Sequence, residues 1–126
     1  MPSLTTPIAV VKHCAAAERI WFQRTLAGRT VRECTGRAVG GDASFLVSDN
    51  ESLDDVVTEY RAACTTSDEI ASRYTLAVTA RHSHIGAVSL RFIYLGLIAE
   101  IARHAGHVDI LVEQILSQDE PDADPV

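Results

Sequence analysis

The sequence contains no uncharged apolar run that approaches the ~20 residues needed to cross a bilayer, so we expect no membrane-spanning segment. Residues 1–7 also lack the basic stretch, long apolar run and small-residue cleavage site of a secretory signal. These two absences predict a cytoplasmic protein with no membrane partner.

Cysteine is scarce, with only Cys14, Cys34 and Cys64, and no two of them form a CxxC pair. An odd number of cysteines at wide spacings argues against a disulfide framework and against a cysteine-based zinc finger. We expect reduced thiols that serve mainly as small core residues, including Cys14 beside His13.

Basic side chains are outnumbered, 11 against 17 acidic ones, and the net charge is -6. This charge balance indicates no basic surface that would bind phosphate groups, so we expect no nucleic-acid partner. Much of the acidity lies at the end of the chain, in Asp119, Glu120, Asp122 and Asp124. The 126 residues therefore predict one domain, 1–117, followed by an acidic, disordered tail, 118–126.

Apolar residues recur at helical spacings of three and four in three segments, 7–27, 52–73 and 89–117. Each segment starts beside a serine or threonine whose hydroxyl can cap the first turn, and Gly28 is placed to end the first helix. The sequence therefore predicts an all-α helical bundle with three main helices.

The segments between the predicted helices carry weaker signals. Residues 28–50 contain four glycines and predict a long loop, with a short extended piece at 44–47. Residues 74–80 are interpreted as a connection, and the alternatives, suggested by their β-branched side chains, are a short strand or a continuation of the helix. His82 and His84 are expected in an exposed loop.

Three ionisable residues lie on faces expected to be buried. His13 flanks the apolar stripe of the first helix. His104 lies within the apolar stripe of the third helix, and Glu100 lies one turn before His104. Because an unpaired buried charge costs several kcal/mol, these residues need a partner. A divalent metal held by His13, Glu100 and His104 would match a three-ligand catalytic zinc site. The alternative is a histidine–carboxylate pair with a purely structural role.

Two motifs lie in opposite halves of the chain, VKHCAAAERIWF at 11–22 and a segment at 89–111 that contains SLR and ARHAGH. They resemble the opening and closing motifs of the mini-circle protein branch of the DinB-like superfamily. This superfamily includes mycothiol-dependent maleylpyruvate isomerase and thiol transferases. The resemblance implies a DinB-like bundle in which His13, Glu100 and His104 bind a divalent metal, with Zn²⁺ as the first candidate. It also implies a small-molecule substrate and a low-molecular-weight thiol as cosubstrate.

Two departures from the family pattern affect these expectations. Relatives usually carry a histidine at the position of Gly96, and they have a further helix before the His13 helix. A bundle shortened at its N-terminus to three helices would expose an apolar groove. We expect a homodimer to cover this groove, with folding of the 28–50 loop over it as the alternative.

The function that follows is a metal-dependent transferase or isomerase that activates a thiol or water against a small electrophile. The alternative is a non-catalytic, dimeric binding module that has kept the metal ligands. His107 is a candidate fourth ligand, a hydrogen-bonding neighbour of the ligands or a surface histidine. Arg103 is expected to pair with Glu18 or Asp109, or to hold an anionic substrate.

Overall fold

In a computed structural model, which describes residues 6–119, the first helix begins at its predicted cap. The Thr6 hydroxyl accepts a hydrogen bond from the Ala9 amide at 3.2 Å. Helix α1 spans Pro7–Glu18 and continues directly into a π-helical segment, Arg19–Leu26. Gly28 follows with φ +72°, a conformation that favours glycine and ends the helix.

The other two helices also start at predicted residues. Ser52 and Asp55 bond to each other's backbone amides, which forms a capping box at the start of α2, Leu53–Ala71. The Ser89 hydroxyl accepts from the Phe92 amide at 3.0 Å at the start of α3, Leu90–Asp119. Helix α3 includes residues 118 and 119, so the prediction of a disordered tail was wrong for these two residues, and residues 120–126 of that tail lie outside the described range.

A β-hairpin lies between α2 and α3, where the sequence predicted a connection and a loop. Strand β1, Thr79–His82, pairs antiparallel with β2, Gly86–Ser89. The expectation of an exposed loop was wrong for His82, which belongs to β1 and stacks on Trp21 at 4.4 Å between ring centroids. His84 is exposed in the turn, as predicted.

The 28–50 segment contains two short 3₁₀ helices, Val31–Glu33 and Gly41–Phe45, and the extended piece expected at 44–47 does not form. The segment covers the polar side of the first helix. Gln23 is fully buried, and its side-chain oxygen is satisfied there by a hydrogen bond from the Thr35 amide at 2.9 Å. Arg19 donates to the Arg37 carbonyl at 3.2 Å and to Glu59 at 3.1 Å.

Helix α1 occupies the centre of the bundle, and both α2 and α3 pack against it. Large side chains such as Val10, Ile70 and Leu90 are fully buried, and each contributes roughly 1.5–3 kcal/mol. A groove of about 480 Å³ separates α2 from α3, with Glu18 and Phe22 of the first helix among the residues that line it. The predicted all-α bundle of three main helices is confirmed. Within 6–119, no helix is long and apolar enough to cross a membrane.

Candidate metal centre

The fold brings His13 of α1 together with Glu100 and His104 of α3. His13 Nε2 lies 3.2 Å from Glu100 Oε1, and His104 Nε2 lies 3.6 Å from the same oxygen. One donor atom from each of the three residues falls within 4.8 Å of the other two. The three side chains selected by helical spacing therefore converge on one point between the two helices.

Ser44, from the second 3₁₀ helix, fixes the orientation of the His13 ring. Its hydroxyl lies 2.6 Å from the Gly41 carbonyl, which can only accept, so the hydroxyl proton is used there. At 2.7 Å, the same oxygen must then accept from His13 Nδ1. This tautomer turns the unprotonated Nε2 of His13 toward Glu100, as expected for a metal-binding histidine.

The resulting arrangement is incomplete without a positive charge. An unprotonated Nε2 and a carboxylate oxygen are both acceptors, so their 3.2 Å approach requires either a second proton on His13 or a cation. The Nε2 atom of His104 is buried and has no hydrogen-bond partner within the described chain. A buried imidazole nitrogen without a hydrogen-bond partner, next to two other atoms that can coordinate a metal, fits a site for a divalent metal ion.

The electrostatics at Glu100 and His104 favour the protonation states of these two residues that bind metals. Contact with the His13 imidazole lowers the pKa of Glu100 against the opposing effect of burial, so the carboxylate stays ionised. Burial, followed by the charge of His13, lowers the pKa of His104, which favours the neutral imidazole. An ionised carboxylate and neutral imidazoles are the forms that coordinate a metal.

Cys14 lies next to His13 in sequence but is not an activated thiol. Burial, together with the negative charges of Glu100 and Glu18, raises its pKa to about 12. The thiol therefore stays protonated at neutral pH, which agrees with its interpretation as a core residue. It also lines an apolar groove of about 320 Å³ that runs beside His104, between Val10, Tyr60 and Ile101.

The remaining candidates lie outside the cluster. His107 is half-buried one turn after His104 and does not belong to the three converging donors. Arg103 is exposed and forms no salt bridge with Glu18 or Asp109 within residues 6–119. Glu18 instead accepts a hydrogen bond from Ser67 at 2.8 Å.

Two residues at the site escaped the sequence analysis, Ser44 and Phe45. Phe45 stacks face to face on His13, with 4.2 Å between ring centroids and 5° between planes. Both lie in a loop 31 or more residues from His13, so no helical spacing links them to the ligands. The only signal was their place in a long loop, where functional residues are common.

The family model of the mycothiol-S-transferases matches residues 1–116, nearly the whole chain and all three residues of the cluster. The comparisons with curated proteins and with solved structures gave no match. Since the match covers far more than half of the sequence, the chain belongs to the mycothiol-S-transferase family, a DinB-like family.

Proposed function

We propose that this protein is a metal-dependent transferase that joins a low-molecular-weight thiol to a small electrophile. The observation that carries the proposal is the convergence of His13, Glu100 and His104, with the buried Nε2 of His104 lacking any other partner among the described residues. Family membership supports a thiol as cosubstrate. Zn²⁺ is the metal we propose, because two imidazoles and one carboxylate are a donor set of catalytic zinc sites. Within the DinB-like superfamily, we propose the mini-circle protein branch, on the resemblance of the segments at 11–22 and 89–111.

Each residue of the site has a separate task in this proposal. His13 and His104 offer imidazole nitrogens, Glu100 contributes negative charge, and Ser44 keeps the proton of His13 on Nδ1. When bound, the metal supplies Lewis acidity that lowers the pKa of a thiol or of water. The apolar groove beside His104 would hold the carbon skeleton of the electrophile away from water.

Metal analysis of the purified protein tests the proposed ligands directly. We expect about one divalent ion per chain in the wild type, as for a single three-ligand site. His13→Ala, Glu100→Ala and His104→Ala should each lose most of this metal. His84→Ala is the matched control, because His84 is exposed in the hairpin turn. Wild-type metal content in all three ligand variants would show that the site is wrong.

Turnover tests the proposed chemistry. Wild type, His104→Ala and metal-stripped protein are assayed with mycothiol and other small thiols against a panel of electrophiles, and with isomerisable unsaturated acids. We expect activity in the wild type and a loss of at least about 100-fold in the other two samples. Equal activity in all three would remove the metal from the mechanism. No activity in the wild type with metal bound would instead favour a binding module.

We also propose that the protein is a homodimer. The groove between α2 and α3 is lined largely by apolar side chains, and none of them comes from the 28–50 segment. That segment instead contacts Arg19 and Gln23 of the π-helical segment and His13 of α1, so it does not provide the cover that the sequence left as an alternative. A second copy would bury the exposed apolar side chains of α3.

A further inference from the structure

A second pocket, of about 690 Å³, lies on the other side of the first helix. It is enclosed by the π-helical segment, the loop at 39–41 and the hairpin, and no carboxylate of the described residues lines it. Its basic side chains come from Arg24, Arg29 and Arg81, together with His82 and His84. Such a concentration of cationic groups stands out in a chain whose net charge is -6.

The three arginines have no acidic partner within residues 6–119. Arg24 donates to the Ala38 carbonyl at 2.9 Å, Arg29 donates to Gln23 at 3.3 Å, and the Arg81 side chain makes no hydrogen bond. By contrast, Arg19 and Lys12 both form salt bridges with Glu59. Most of the donor groups of the pocket arginines therefore remain available to a ligand.

The loop and the hairpin hold this basic lining in place. His82 stacks on Trp21, and its Nδ1 accepts from the amides of His84 and Ile85 at 3.1 and 3.3 Å. Its proton therefore sits on Nε2, which leaves an N–H donor on the other edge of the ring. Burial, and then the charges of His84 and Arg24, lower the pKa of His82.

Glu33 is a carboxylate that interacts with a pocket arginine without lining the pocket. Hydrogen bonds to Thr30 lower the pKa of Glu33 first, and the charge of Arg29 contributes least. Its carboxylate accepts from the Thr30 amide at 3.0 Å and does not line the pocket. Glu33 therefore contributes no carboxylate to the lining of the pocket.

We propose that this pocket binds a small organic dianion, either a phosphomonoester or a dicarboxylate. Guanidinium groups bind such oxyanions with paired, charge-assisted hydrogen bonds. The volume suits an organic ligand rather than an inorganic ion alone. The site adjoins the candidate metal centre, because the 3₁₀ helix Gly41–Phe45 starts in this pocket and carries Ser44 to His13. The proposal does not depend on the metal or on the reaction.

Calorimetric titration of the whole chain with phenyl phosphate and, separately, with succinate tests the proposal. We expect at least one probe to bind, with a Kd of about 1 mM or tighter. Arg81→Gln should weaken this binding by about tenfold, because one charge-assisted pair is lost. The variant should fold normally, since Arg81 is exposed and its side chain makes no hydrogen bond within 6–119. The tighter probe identifies the anionic group.

Two control variants show whether the probe binds in this pocket or elsewhere on the protein. Arg61→Gln removes an exposed arginine of α2 that does not line the pocket, so it should leave binding unchanged. His104→Ala should also bind the probe as the wild type does, since the anion would not sit at the metal centre. Absence of binding by both probes would overturn the proposal. So would equal weakening by Arg81→Gln and Arg61→Gln, or loss of binding in His104→Ala.

Discussion

Ser44 decides which nitrogen of His13 faces the candidate metal centre. Its single hydroxyl proton is used by the Gly41 carbonyl, so its oxygen must accept from His13 Nδ1. Phe45, the next residue, stacks on the same ring and restricts its rotation. A neutral serine and a phenyl ring thus orient an imidazole without adding charge to the site.

Replacing Ser44 with alanine should weaken metal binding without removing a ligand. We expect Ser44→Ala to lower the affinity for Zn²⁺ by about 10- to 100-fold, because the Nδ1 hydrogen bond that fixes the tautomer is lost. Competition with a chromogenic chelator measures this change. Ser83→Ala, in the exposed hairpin turn, is the matched control. Equal affinities in the two variants would mean that Ser44 does not position His13.

The sequence predicts the cluster residues but not the residues that orient them. Glu100 and His104 are four positions apart on one helix, and His13 lies on an apolar face, so periodicity alone selects all three. The contact between Ser44 and His13 depends on how the 28–50 loop folds over α1. Loop paths are set by tertiary contacts, such as Gln23 with Thr35, which have no periodic signature.

At the scale of elements, the loop is fastened to the first helix by buried polar contacts. Arg19 is only 2% exposed, and its guanidinium bonds to both Arg37 and Glu59. A Cβ added at Gly36 would lie 2.5 Å from Arg19 Cζ, well inside van der Waals contact. A side chain at position 36 would therefore force the buried Arg19 guanidinium to shift from its present position.

Gly36→Ala should destabilise the fold by about 1–3 kcal/mol, because the Arg19 guanidinium has to shift away from its partners. Gly96→Ala is the matched control, and we expect it to change the stability in the opposite direction. A Cβ there meets no atom within 4 Å, so alanine should stabilise exposed α3 by up to ~1 kcal/mol. Urea unfolding of both variants checks the signs. Equal stability of Gly36→Ala and wild type would mean that this contact relaxes without cost.

The first residues of the helices were easier to predict from the sequence than the hairpin. Thr6, Ser52 and Ser89 cap their helices through local contacts that reach only three residues along the chain. Strand β1 exists because it pairs with β2 and packs on the π-helical segment, where His82 meets Trp21. Neither contact can be inferred from the local sequence around 79–82. A short strand in this segment is therefore hard to distinguish from a connection by sequence alone.

At the scale of the whole molecule, the bundle leaves one long side of α3 exposed. Leu95 and Ile98 are 62% and 65% exposed, and Ile110 and Leu116, further along the helix, are 55% and 58% exposed. The groove beside Ile98 also contains Glu18, whose pKa is raised by burial. An exposed helix face with so many large apolar side chains is typical of a surface that packs against another chain.

A single charge in this groove should therefore separate the two copies. We expect light scattering at micromolar concentration to report about twice the 13.6 kDa chain mass for the wild type. Ile98→Glu should shift the protein toward the monomer and weaken association by at least about tenfold, because in a symmetric dimer the added carboxylate is buried once in each copy. Ile85→Glu, at an exposed position of the hairpin turn outside the groove, should remain dimeric. A wild type that stays monomeric, or equal dissociation of both variants, would show that a second copy does not cover this groove.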